Sequence, residues 1–411
     1  MGLNSVTVTR LQGGLGRRAT NLDGVIGVIT SGVAVSSTFV LGTIYPLKSI
    51  KDLEALGVDA AYDTTNATLI HHHISRIFFH NPNAEVHLMA LAQTTTLAAM
   101  VDVANVSNAK KLLKDKNGRI KLLGVIRNPA SGYTPTLSGG LDDDVIAAIP
   151  KAQALVEEEA GEYRYCSVIV EGRSYNGTAA AATDLRTLEA PGVSVVIGAD
   201  KDVSGSNALY NGYAAVGDYL GMLSKAAVSQ SPAEVIDDFD LQDTANSYWL
   251  NPGLSSNALI SAQTKSTLDT LNDKGYIFAI PQAGLTGIWF NDTHTCEAID
   301  NDYAYIEGNR TVDKAIQLAR VKTLPRLNSR LLIDEETGQL TDAARTGIEE
   351  NAKAAIEPMK TDGDISGGID CFIDPEQNLL AGDALAMELT FTPVAIGRQI
   401  QISVGFNNPF N

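Results

Sequence analysis

The sequence predicts a multidomain chain of mixed class: an α/β middle region built on a mostly parallel sheet, then an α+β C-terminal region. Three observations carry this. Four nearly continuous apolar runs, "AEVHLMALA", "IKLLGVI", "CSVIV" and "GVSVVIG", alternate with helix-like stretches, as expected of strands covered on both faces and joined by βαβ crossovers. The periodicity dissolves over 231–272, where turn residues dominate. The last third then regains short strands and amphipathic helices. At 411 residues the chain is too long for one small core.

The elements follow in order. "SVTVTRLQ" (5–12) is a strand candidate in which Val6 and Val8 alternate with Thr7 and Thr9, and "GGLGRR" after it is a flexible break. Residues 1–25 are therefore expected to form an N-terminal arm, and 26–230 the α/β domain. Within that domain "NATLIHHHISRIFFH" sets Leu69, Ile70, His73, Ile74 and Ile77 on one helical stripe. A helix at about 97–116 leads to "IKLLGVI". Another, "LDDDVIAAIPKAQALVEEEAGE" (141–162), opens on three acids that suit a helix N-terminus. "TAAAATDLRTLE" is expected to be a third helix, and a long one is expected near 205–227.

Residues 231–272 are expected to be an irregular connecting segment, and 273–396 the C-terminal α+β domain. "GYIFAI" and "LTGIWF" are short strands split by Pro281 and Gly284. A helix at about 311–323 is stopped near Pro325. A second, at about 341–359, has Ala344, Ile348, Ala352, Ile356 and Met359 on one side, and "ALAMELTFTP" alternates as a strand up to Pro393. In the closing arm, 397–411, Ile400, Ile402, Val404 and Phe406 point one way and Gln399, Gln401 and Ser403 the other. That is a half-buried strand placed where it can pair with an open sheet edge.

Composition narrows the function classes. With 31 Lys+Arg against 48 Asp+Glu, the formal charge of -17 disfavours nonspecific binding to nucleic acid or anionic lipid. No apolar run approaches the roughly 18 residues of a membrane span, so direct membrane insertion is not expected. "MGLNSVTVTR" lacks the apolar stretch of a signal peptide, and Val6 stands where myristoylation needs Ser or Thr, which leads to an expectation of cytoplasmic residence. Cys166, Cys296 and Cys371 are odd in number and far apart, as reduced thiols are.

Candidate chemistry is sparse. His71, His72 and His73, with His80 and His87, invite a metal reading, but ligands on one helix need i,i+3 or i,i+4 spacing. The adjacent three fan around the helix, and His73 and His80 lie about 10 Å apart along it. The expectation is no metal, with His73 packed and the others solvated. "GGLGRR" meets neither the P-loop nor the dinucleotide pattern. Gly198 follows a strand where a helix begins, so the alternative function is an α/β small-molecule binder or enzyme with its site near 198–206. Asp200 and Asp202 there are expected to serve the turn and the next helix start. With no G-x-S-x-G or H-E-x-x-H spacing, no catalytic residue, no cofactor and no enzyme activity are expected.

From residue 270 onward the order of pieces is similar to that of the contractile tail sheath family. A helix ends in an "LND-KG" turn, and a strand and the "GIWFNDTHT" segment follow. An aromatic strand then precedes "NRTVDKAIQLAR", and a further helix, a hairpin with "DPEQNLLAGDALAMELTFTP" and a terminal strand complete the series. Where sheaths carry a Trp-Gly-x-x-Thr-like stretch, this chain has Trp-Phe-Asn-Asp-Thr.

The resemblance implies a structural, nonenzymatic subunit that polymerises with itself as a helical array of stacked hexameric rings around an inner tube protein, bounded by baseplate and by terminator or cap proteins. It implies assembly in a bacterial cytoplasm as part of a phage tail or injection particle. It also implies that the N-terminal arm (Val6, Val8) and the C-terminal strand (Ile400, Ile402, Val404, Phe406) are donated to neighbouring subunits. The helix 341–359 becomes the candidate for gripping the tube. Its charged row, Arg345, Glu349 and Lys353, has a competing reading as a self-paired, solvated face.

Overall fold

A computed structural model describes residues 22–379 and 384–406. Val6 and Val8 lie outside the described residues. The chain divides into two compact units, Met1–Ala226 with Pro232–Ile306, and Ala227–Ser231 with Glu307–Asn411.

The first unit is built on a sheet whose strands, from edge to edge, come in the order β11-β8-β7-β4-β1-β3-β2. Their ranges are β1 Ile26–Gly32, β2 Ile44–Leu47, β3 Val86–Ala92, β4 Leu122–Val125, β7 Ser167–Glu171, β8 Val193–Val196 and β11 Tyr276–Ile277. All neighbours pair in parallel except β2, which runs antiparallel to β3. Short antiparallel pairs decorate it: β5 Leu137–Ser138 with β6 Leu141–Asp142, β9 Gly198–Asp200 with β10 Pro252–Leu254, and β12 Ala279–Pro281 with β13 Ile288–Phe290.

Side chains alternating along each strand enter two separate cores, as a sheet covered on both faces requires. Ile26 and Val28 of β1, Leu88 of β3 and Ile169 of β7 pack into one. Ile29, Met89, Val168 and Val170 pack into the other. The first core is lined by α3 (Ile70–His80) and α8 (Val216–Lys225), with α1 (Ile50–Glu54) and α2 (Ala60–Asn66) beside them. The second is lined by α4 (Leu97–Met100), α5 (Ala109–Lys116), α6 (Asp143–Gly161) and α9 (Lys265–Asp273). Short α7 (Lys201–Ser204) follows β9.

Several expectations are corrected here. The strand β1, central in the sheet, was not among the four expected. The helix at 97–116 is two helices, broken where Asp102 and Asn105 accept hydrogen bonds from backbone N–H groups two residues on and so turn the chain. "TAAAATDLRTLE" holds only two single turns, Ala179–Ala181 and Leu185–Thr187, because Asp184 caps the second and ends any continuation of the first. The helix expected at 205–227 starts only at Val216. The stretch 231–272 is not irregular throughout: it holds β10 and nearly all of α9, and the turns before them are packed, with Phe239, Leu241 and Trp249 buried in the first core. "GYIFAI" splits, Tyr276–Ile277 joining the main sheet and Ala279–Pro281 the hairpin with β13.

In the second unit α10 (Ile306–Thr323) and α11 (Asp342–Thr361) accompany an antiparallel pair, β14 (Ile365–Phe372) and β15 (Glu388–Pro393). Ala352, Ile356 and Met359 of α11 are buried, as the stripe predicts, with Ala315 and Ile365 packed in the same cluster as Ile356 and Met359.

Candidate functional site

In a doubly wound sheet a ligand sits at the strand C-termini where the strand order reverses. Here that place lies beyond β1, where the chain turns first to β3 and later to β4. It is bonded shut by Asn128. The Asn128 amide donates to Thr30 Oγ1 (3.0 Å) and to the Ser31 carbonyl (2.9 Å), and its Oδ1 accepts from the Leu69 N–H (2.9 Å). Ser31 Oγ accepts from the Asn128 N–H at 2.8 Å and donates to its carbonyl at 3.0 Å. One strand over, Arg127 donates to Asp144 (2.8 Å) and Arg173 to Glu171 (3.0 Å) and to the Arg127 carbonyl (2.7 Å). Burial pushes the Glu171 carboxyl up, against Arg173 and the N–H groups of Arg127 and Ala214. Most polar atoms of these strand-end side chains bond one another, while Arg127 Nε and Arg173 Nε have no partner among the described residues.

The alternative site at 198–206 is equally occupied. Asp200 is buried; its Oδ2 accepts from Arg76 Nη2 (2.9 Å) and the Trp249 N–H (3.0 Å), while Oδ1 caps α7 through the Asp202 N–H (3.2 Å). Asp202 accepts from Asn251 Nδ2 at 3.0 Å. Both aspartates thus serve the turn and the helix start.

These bonds extend into a buried polar frame. Asp218 Oδ1 accepts from Trp249 Nε1 (2.9 Å), meets His80 Nε2 (2.9 Å) and lies 3.8 Å from Arg76 Nε. Burial alone raises Asp218, but Arg76 and the His80 bond outweigh it and hold the carboxyl well below its ordinary range. Burial wins at Asp200, whose carboxyl is pushed up despite the Trp249 N–H and Arg76. Arg76 thus lies between two buried carboxylates, Asp200 at 2.9 Å and Asp218 at 3.8 Å. The Tyr248 ring stacks on the Arg76 guanidinium at 3.3 Å, and Trp249 is fully buried in a left-handed backbone conformation (φ 51). The frame fixes the 243–251 loop onto α3 and α8.

The histidines correct a further expectation. His71, 3.4 Å from Glu54, is half-buried rather than solvated. His72 bonds the Tyr213 hydroxyl at 3.1 Å, His80 is buried against Asp218, and His87 is buried 2.9 Å from Glu85. The cause is close helix packing. A Cβ on Gly217 of α8 would lie 2.5 Å from the His73 carbonyl oxygen, and one on Gly221 3.0 Å from His80 Cβ, so the bare faces of α8 bring α3 near enough to cover its histidines.

The "GIWFNDTHT" segment is a second frame. Trp289 Nε1 donates to the Ile236 carbonyl (2.9 Å), and Asn291 links the Phe278 N–H (2.8 Å) to Asn272 Oδ1 and the Tyr276 carbonyl (both 3.0 Å). His294 bridges Asn272 Oδ1 (3.0 Å) and Arg186 Nη2 (2.6 Å).

The family described as "DUF2586, N-terminal domain" matches residues 3–294, and "DUF2586, C-terminal domain" matches 302–411. The chain belongs to the DUF2586 family. The fold of this DUF2586 chain is that of contractile injection-system sheath proteins. A chain of the anti-feeding prophage baseplate is similar over 99% of this chain and 100% of its own, with TM-score 0.62 at 13% identity. The anti-feeding prophage helical sheath in its contracted state covers 98% and 99% (TM-score 0.60, 14% identity). The contracted PVC sheath complex of an extracellular contractile injection system covers 100% and 99% (TM-score 0.56, 11% identity). No curated protein sequence matches at a significant level.

The DUF2586 chain exposes its C-terminal strip. Residues 394–406 have no strand partner among the described residues, and Ile400, Ile402, Val404 and Phe406 are 79–110% exposed. Arg398 nearby pairs with Glu307. On α11, Arg345 pairs with Asp342 (2.9 Å), Lys353 with Glu350 (3.3 Å) and Asp370 (3.4 Å), and Glu349 accepts from the Ile373 N–H (3.0 Å). That row borders the hairpin rather than crowning the helix. Among the described residues no group of acids, histidines and cysteines is placed to hold a metal ion, and no helix is long and apolar enough to cross a membrane.

Proposed function

We propose that this chain is the subunit of a contractile sheath, polymerising with itself as stacked rings around an inner tube and shortening to drive that tube through a target envelope. One observation carries the reading: the likeness to sheath and baseplate chains of two injection systems runs over nearly the whole of both partners. The strand ends filled with internal bonds support it, since they give the α/β alternative no open site.

The joints of the polymer are the two arms. Burying an Ile, Val or Phe side chain stabilises by about 1.5–3 kcal/mol, and the row Ile400, Ile402, Val404 and Phe406 leaves that stabilisation unrealised in a single chain. Its alternation and unpaired backbone suit addition to a neighbour's sheet edge, with Val6 and Val8 of residues 1–25 making the reciprocal joint. In this scheme the α/β body is residues 26–226 with 232–306, since β11 joins its sheet and Phe239, Leu241 and Trp249 its core, and 397–411 are the donated strand. Arg345, Glu349 and Lys353 meet the inner tube, with Arg345 and Lys353 exchanging their exposed internal partners for charges there. The ends of the array meet baseplate and terminator or cap proteins, and the particle assembles in a bacterial cytoplasm. No ATP is needed if a strained extended lattice settles into a lower-energy packing.

Sedimentation of the purified chain tests the reading. A sheath subunit pellets as a large polymer; a binder or enzyme stays a small closed oligomer.

A further inference from the structure

Between Lys314 and Ile333 the sequence holds five basic residues (Lys314, Arg320, Lys322, Arg326, Arg330) and no acid, in a chain of net charge -17. This stretch is the C-terminal half of α10 and the turn after it, Leu324–Arg326. Val321, Leu324, Leu327 and Leu332 are exposed among the charges. Cations in the last turn of a helix offset its dipole, which accounts for Arg320 and Lys322. It accounts neither for Arg326 and Arg330, which lie beyond the helix, nor for four exposed apolar side chains in one short stretch. Lys322, Arg326 and Arg330 make no ion pair or side-chain hydrogen bond among the described residues.

The chain carries the complement of this ridge elsewhere. "EVIDDFDLQD" (234–243) has five acids, and no basic residue stands between Lys225 and Lys265. Val235 and Ile236 are exposed there, as are Asp237 and Asp238. Lys225 reaches the Asp238 carbonyl at 2.6 Å and its carboxylate at 3.3 Å, with that carboxylate still mostly exposed. Asp240 is spent internally on the N–H groups of Gln242 and Ile288. Both segments thus mix exposed aliphatic side chains with charge of a single sign, and the signs are opposite.

We propose that the 321–332 ridge of one subunit docks on the 234–238 segment of a second copy, an ionic and apolar contact additional to the donated strands. The inference rests on the polymerising-subunit reading. Ion pairs at such rims set register and respond to salt, which fits a contact that must be exchanged when a lattice changes its packing.

Charge reversal tests it, with folding checked by circular dichroism. The variant K322E/R326E/R330E, and the milder R326Q/R330Q, should raise the critical concentration for self-assembly by about tenfold and about threefold, the order expected for a few rim pairs. Adding D237K/D238K to the triple variant should restore assembly to near the wild-type concentration. Three results overturn the docking: assembly of the triple variant at the wild-type concentration, failure of the combined variant to recover while folded, or loss of inner-tube co-sedimentation with self-assembly intact, which would assign the ridge to the tube. A wild-type chain that never polymerises would instead remove the sheath reading itself, and this contact with it.

Discussion

Arg186 Nη2 and His294 Nδ1 are 2.6 Å apart and both side chains are buried. Arginine only donates, so Nδ1 accepts, the proton sits on Nε2, and Nε2 donates to Asn272 Oδ1 at 3.0 Å. Arg186 Nη1 also donates to the Glu297 and Ala304 carbonyls, both at 3.2 Å. One guanidinium thus ties the Leu185–Thr187 turn to the loop around 294–304.

Removing it takes a bond from three buried acceptors, of which the Ala304 carbonyl keeps the Thr295 N–H. Arg186→Ala should lower unfolding free energy by about 3 kcal/mol or more, read by urea titration. Arg186→Lys keeps a charge without the fork and should recover only part of this. A shift under about 1 kcal/mol for the alanine variant would show that the clamp contributes little.

Gly217 and Gly161 give opposite signs for one substitution. Helix propensity favours alanine over glycine by about 1 kcal/mol. At Gly161 a Cβ meets nothing within 4 Å, so alanine should stabilise or be neutral. At Gly217 the 2.5 Å clash with the His73 carbonyl should reverse the sign and lower Tm by several degrees. Thermal melts of both variants check the helix contact directly.

His73 makes stability fall on acidification. Burial lowers its pKa from 6.5 to about 3, so the folded chain keeps it neutral while the unfolded chain protonates it below pH 6.5. This contribution is complete above pH 6.5 and shrinks as pH falls toward 3, by about 1.4 kcal/mol per unit. Asp63, pushed up to about 6 by burial, acts in the opposite direction, since acid relieves its buried charge. His73→Leu removes the imidazole that accepts from the Gly217 N–H (3.2 Å). It should be less stable at pH 7 by about 1–3 kcal/mol, with a flatter pH dependence between 6.5 and 4. An unchanged slope would contradict the assignment.

Much of the fold was legible because burial on both faces writes itself as apolar runs: β3, β4 and β8 each lie within one of the four quoted segments, and β7 overruns its own only by Glu171. The central β1, "IGVITSG", carries two glycines and a Thr-Ser pair, which dilute the same signal. Alanine-rich 178–189 has helix propensity but is held by Asp184 and neighbouring loops as isolated turns. The frames around Asp218 and Arg186 left no local trace, because His80 and His294 stand more than a hundred residues from them. The Gly-x-x-x-Gly spacing at 217–221 was the one available hint that α3 and α8 meet closely.

Charge reversal tests the tube contact proposed for the row on α11. Arg345→Glu with Lys353→Glu should reduce co-sedimentation with purified tube at low salt by about tenfold, with less difference at high salt, and leave sheath–sheath contacts intact. Unchanged binding, or binding indifferent to salt, would remove this row from the tube interface. Some loss of stability is expected from the Lys353–Asp370 pair, within about 1 kcal/mol.

The central claim is that this chain polymerises and that residues 397–411 join its copies. Negative-stain electron microscopy of the purified full chain and of a chain ending at Ile396 tests both halves at once. The account predicts tubes or stacked rings for the full chain, and for the truncated one a folded monomer with no polymer. A full chain seen only as small closed particles, or a truncated chain that builds normal tubes, would contradict it.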